Sequence, residues 1–159
     1  MNIKMALFLT IALSSNLNIF ATKDSTVIGR FELDVQDLVG TVKTFVNNTK
    51  HDLVLRWGLC DPLTMRHYTQ EPILRRGDMV TVDFAPALSY LSGVPKVELS
   101  LELLRVKQLP KGAGHPLITT KLKDGDFALQ IHKSKFLKNK VFAFSRNANG
   151  LLMLQASQK

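Results

Sequence analysis

Between Lys96 and Leu109 apolar and polar residues alternate: Val97, Leu99, Leu101 and Leu103 are interleaved with Lys96, Glu98, Ser100 and Glu102. Successive side chains of a strand point to opposite faces, whereas an amphipathic helix needs its apolar residues three or four apart. Leucine and glutamate favour helix intrinsically, but a period of two over this length outweighs propensity. The segment is predicted to be a long strand with a leucine face in the core and Glu98, Ser100 and Glu102 facing water.

The rest of the chain repeats the theme in shorter bursts. Turn residues separate apolar runs at intervals of roughly 8–12 residues, the spacing of a sandwich or barrel. Strands are expected at Val27 to Asp34, Thr41 to Val46, Asp52 to Gly58, Pro72 to Leu74 and Met79 to Phe84, with one helical turn around Leu88 to Leu91. Asn47-Asn48-Thr49-Lys50 reads as the loop of a hairpin, and Cys60 to Gln70 as irregular. In the C-terminal third, Lys123-Asp124-Gly125-Asp126 and Asn147-Ala148-Asn149-Gly150 each read as the turn of a further hairpin. The expected fold is all-β, a single mostly antiparallel β-sandwich of about eight to ten strands, immunoglobulin-like or jelly-roll-like.

Phe45 to Thr49 followed by Leu53 to Trp57 resembles the strand, Asn-Thr turn and Trp-bearing strand of the first immunoglobulin-like domain of periplasmic pilus chaperones. The resemblance covers about thirteen residues and implies a sandwich. The chain is shorter than that family's two domains and has no counterpart of its strand-donating segment.

Residues 1–21 carry Lys4, an apolar core from Met5 to Leu13, the polar residues Ser14, Ser15 and Asn16, and Ala21 at a plausible cut. This is the pattern of a cleaved signal peptide, and the apolar core is short of the roughly 20 residues a transmembrane helix needs. Residues 22–159 are then one domain, secreted or periplasmic and more bacterial than eukaryotic in character. Cys60 is the only cysteine, so no disulfide closes within the chain, and packing has to supply the stability. Asn47-Asn48-Thr49 is a glycosylation triplet, which would matter in a eukaryotic host.

The net charge of +8 is unevenly spread. From Thr22 to Leu104 there are nine Lys or Arg against eleven Asp or Glu; from Arg105 to Arg146 there are ten against two. An exported protein meets several polyanions, namely phospholipid headgroups, lipopolysaccharide, anionic wall polymers or acidic host glycans, and a cationic face attracts any of them. The sharpest candidate is KSKFLKNK, in which Lys133, Lys135, Lys138 and Lys140 surround Phe136 and Leu137. With Lys123, these are the expected contact residues, the apolar pair either dipping into an interface or capping the core. Nucleic acid is not an expected partner, because the compartment is wrong and the basic third lacks interleaved aromatics for base stacking.

Catalytic and metal signatures are missing. The four histidines have no ligand spacing, and the order Cys60, Met65, His67 is not that of a blue-copper loop. There is no G-x-S-x-G, and Glu98 and Glu102 stand about 13 Å apart in an extended chain, too far for paired glycosidase carboxylates. No metal or cofactor is expected; an enzyme site would have to be assembled from distant residues such as Asp61, His67 and His115. The sequence points instead to an exported non-catalytic binding or adaptor protein. It would use the basic C-terminal face and, if the long strand lies at an edge, strand addition to engage a protein partner. The alternative is a lipid- or glycan-binding module.

Overall fold

The computed structural model describes residues 25–122 and 127–159. The segment read as a signal peptide and the Lys123 to Asp126 segment read as a turn lie outside them. The described residues form eleven strands: β1 (Thr26–Asp34), β2 (Val42–Asn47), β3 (Leu53–Cys60), β4 (His67–Gln70), β5 (Ile73–Leu74), β6 (Met79–Asp83), β7 (Lys96–Gln108), β8 (Ile118–Thr120), β9 (Phe127–Ala128), β10 (Val141–Arg146) and β11 (Leu152–Ser157). Two short helices, α1 (Ala85–Tyr90) and α2 (Lys133–Lys138), complete them.

The strands form two sheets, mostly antiparallel and packed as a sandwich. The first runs β1-β7-β3-β4, with β5 also on β3 and β8 on the far end of β7. The second runs β6-β2-β10-β11-β9, in which β2 and β10 are parallel, as are β11 and β9. One core fills the space between them: Leu55, Leu99 and Leu101 from the first sheet meet Phe45, Phe142 and Phe144 from the second. No helix among the described residues is long and apolar enough to cross a membrane.

The long alternating strand forms as expected, with Val97, Leu99, Leu101 and Leu103 all at 0% exposure. Its polar face departs from expectation. β7 is not at an edge but is flanked by β1 and β3 over most of its length, and Ser100 and Glu102 are buried. Directly across the ladder from Glu102 is Arg56, whose guanidinium donates to its carboxylate at 3.2 Å and to Glu71 at 2.5 Å. Arg30 pairs with Glu98 at 2.8 Å. The acids are matched by cross-strand cations, so the face is a polar ladder rather than a bare wet surface.

Two of the three expected hairpin turns differ from their local reading. Asn147 to Gly150 does close a hairpin, β10 against β11, with Gly150 at a φ of 77°. The Asn47 to Lys50 segment does not, because β2 and β3 lie in different sheets and the chain crosses between them. Likewise β8 belongs to the first sheet and β9 to the second, so the strands flanking Lys123 to Asp126 are not hairpin partners. The polar stretch expected to be irregular contributes β4, which pairs with β3 from Trp57↔Gln70 to Cys60↔His67. An edge strand tolerates that polarity because one side of it stays open.

The outer edge of β1 is partly covered. Its ladder slips between Val27 and Gly29, and the N–H of Ile131 donates to the carbonyl of Ile28 at 2.7 Å. A Cβ on Gly29 would lie 3.0 Å from the Ile131 carbonyl oxygen and 3.4 Å from the Ile131 Cβ. Gly29→Ala is therefore expected to cost about 1–3 kcal/mol, the usual penalty of overpacking, measurable as a lowered urea midpoint at unchanged slope.

Candidate functional site

KSKFLKNK builds a surface feature, though not the one its apolar pair suggested. Lys133 to Lys138 form α2, which packs against β1 and reaches the second sheet through Phe136. Phe136 is 0% exposed, its ring 5.4 Å from Phe31, 6.0 Å from Phe84 and 6.1 Å from Phe142. It joins both sheets and is core; it is not available to an interface. Leu137, at 39% exposure, is the apolar residue that remains outside. Lys133, Lys138 and Lys140 are exposed and Lys135 half-buried, while Lys123 lies outside the described residues.

A residue absent from the expected set holds this helix. Lys43 is buried on the inner face of β2, and its Nζ donates to the carbonyls of Phe136 at 2.5 Å and Asn139 at 2.6 Å while sitting 4.6 Å from the Phe136 ring centre. These carbonyls are the unsatisfied acceptors at a helix C-terminus, where a cation is favoured. Burial, and then the nearby Lys140, push the ammonium below the usual lysine pKa. The cation is held by main-chain oxygens rather than by a carboxylate. The ion pairs Arg30–Glu98, Arg56–Glu71, Arg56–Glu102 and Lys96–Glu32 all belong to the first sheet's side. Among the described residues, Lys133, Lys135, Lys138 and Lys140 make none.

Two other loci come together from residues far apart in sequence. Near the Asn47 to His51 crossing, the Arg105 guanidinium approaches Nδ1 of His51 at 3.2 Å. Burial, Arg105 and Arg146 lower the His51 pKa, with Asp52 opposing them. On the side opposite β1, a cleft of about 390 Å³ opens between the free edges of the two sheets, with Trp57, Tyr68 and Gln70 on one wall and Val80 to Val82 on the other. The exposed carboxylates of Glu71 and Asp83 also line it.

The candidate chemical groups are dispersed. Cys60 is buried, and burial, Glu98 and Asp61 raise its thiol pKa, which is opposite to what a nucleophile needs. Asp61 organises the β3–β4 loop: Oδ2 accepts from the Thr64 hydroxyl and Oδ1 from the N–H of Leu63 at 3.0 Å, which in that order hold its pKa below the carboxylate norm. It lines a small cleft of about 180 Å³ with Pro62, Leu63 and Val94, and neither His67 nor His115 reaches that cleft. No cluster of three or more His, Cys, Asp or Glu among the described residues is arranged to hold a metal ion.

The glycosylation triplet is structural. Asn47 is 0% exposed, and its Nδ2 donates to the carbonyls of His51 at 2.8 Å and Leu74 at 2.9 Å. A glycan on that nitrogen is incompatible with this fold. Comparison of the chain with protein-family models, with curated proteins and with solved structures finds no match.

Proposed function

We propose that this chain is an exported, non-catalytic binding domain that engages a protein partner with an acidic surface through the lysines on and beside α2. The observation that carries the reading is the set Lys133, Lys135, Lys138 and Lys140 on and beside one anchored helix, with no carboxylate of the described residues neutralising them. Unpaired cations fixed on a rigid element are available to a partner without an intramolecular pair having to break first. With Phe136 in the core, a bilayer-inserting role would have to rest on Leu137 alone, which favours an electrostatic contact over insertion.

The test compares the wild-type chain with a variant in which the four lysines are glutamines, using a polyglutamate-coated matrix and vesicles containing phosphatidylglycerol. Retention on polyglutamate is expected at low salt, roughly tenfold or more weaker in the variant, and lost near 1 M salt, where the Debye length is about 3 Å. Retention unchanged in the variant overturns the proposal. Vesicle binding that survives about 1 M salt and disappears in Leu137→Asp replaces it with a membrane-contact function.

A further inference from the structure

The hydrogen-bond accounting of β6 leaves one side of that strand open, and the open side faces the cleft. In β2, the N–H groups of Thr44 and Asn48 go to the carbonyls of Lys140 and Phe144, on the β10 side. The N–H of Asn47 goes the other way, to Asp78. Because N–H groups alternate along a strand, those of Lys43 and Phe45 also point to β6, opposite Val82 and Val80. Val80 and Val82 therefore spend their backbone groups on β2, while the N–H and C=O of Thr81 point away from it. β6 ends its sheet, so Thr81 has no ladder partner on that side among the described residues.

We infer that this edge accepts an extended peptide segment of a partner protein, which adds to the second sheet as a strand beside β6. The geometry suits that occupant. The incoming backbone bonds to Thr81, and alternate side chains point into the cleft of about 390 Å³ against Tyr68 and Trp57. Asp83 and Glu71 line the same cleft, and the Arg56 that pairs with Glu71 is shared with Glu102, so the cleft keeps an acidic surplus and an apolar segment flanked by Lys or Arg is the complementary sequence. The carboxylates also argue against a second copy of this chain: edge-to-edge pairing would gather two sets of them about one seam. The site is remote in sequence from the α2 lysines and calls for a basic rather than an acidic segment, so the two surfaces stand or fall separately.

Selection of a random-peptide phage library on the full chain tests the inference, with Thr81→Pro as the comparison. Proline at Thr81 removes only the outward N–H and leaves the β2 ladder intact, so the variant is expected to fold, as circular dichroism will show. Alternating apolar peptides with basic flanks should be enriched, bind the variant roughly tenfold more weakly, and slow amide exchange at Thr81. The inference is overturned by an absence of enrichment, or by selected peptides that bind Thr81→Pro equally well. Protection of Thr81 that rises with protein concentration in the absence of peptide would assign the edge to self-association instead and overturn it too. Should Thr81→Pro unfold, the exchange of Thr81 in the wild-type chain with a selected peptide decides alone: unchanged exchange refutes the inference.

Discussion

Alanine at Phe136 is expected to cost the protein about 3–5 kcal/mol, the range for truncating a fully buried aromatic side chain. The ring is 0% exposed and lies against Phe31 in the first sheet and Phe142 in the second, so its loss leaves a cavity bounded by both layers. Neither sheet can relax into that cavity without moving away from the other. Lys43 adds to the penalty, because its ammonium lies over the same ring and bonds the carbonyl of Phe136. Urea unfolding checks the figure, and the melting temperature should fall by roughly 10 °C or more. Leu137→Ala, one residue on and 39% exposed, should change stability by less than about 1 kcal/mol. Equal losses at the two positions would mean that α2 is not pinned by Phe136. For the same reason a polar substitution at Phe136 reports on folding, and only one at Leu137 reports on surface contact.

Patterns read within one strand carried over best, and patterns that depend on what lies beside a strand carried over least. The leucine face of β7 was legible because burial of every second residue needs only the period of the strand. Its polar face was misread because Glu98 and Glu102 are matched by Arg30 and Arg56, which lie 68 and 46 residues away. β2 shows the limit more sharply. Its apolar residues Val42 and Val46 face outward, while Lys43 and Asn47 share the core face with Phe45, so alternation alone assigns the wrong face. Lys43 can be inside because helix α2, about 90 residues later, brings two carbonyls to it. Among the candidate contacts, the α2 lysines were legible because they are contiguous. The meeting of Arg105 with His51 across 54 residues, and the open edge of β6, are properties of topology.

Asn47 is the second position at which a large effect is expected. Its side chain does for the crossing between sheets what a ladder does inside one: Oδ1 accepts from the N–H of Thr49 at 3.0 Å and from its hydroxyl at 2.7 Å, while Nδ2 donates to His51 and Leu74. Leu74 belongs to the first sheet and Asn47 to the second, so one amide ties the layers together at the crossing. Asn47→Ala removes these four hydrogen bonds at once; the His51 carbonyl keeps the Thr49 hydroxyl, but the buried N–H of Thr49 loses its acceptor and the Leu74 carbonyl loses this donor. Each orphaned buried group costs about 1–3 kcal/mol, and with relaxation the expected loss is about 3–4 kcal/mol. Asn47→Asp keeps the shape but aims a carboxylate at two carbonyl oxygens, which favours the protonated acid and raises its pKa in the folded state. The folded variant then holds a proton that the unfolded chain releases above about pH 4, so its stability deficit relative to wild type grows as pH rises from about 4 to 7. Urea unfolding of both variants and wild type across that range checks it. A deficit in Asn47→Asp that stays constant with pH, together with a loss below about 1 kcal/mol in Asn47→Ala, would show that the crossing is held by its backbone and not by this side chain.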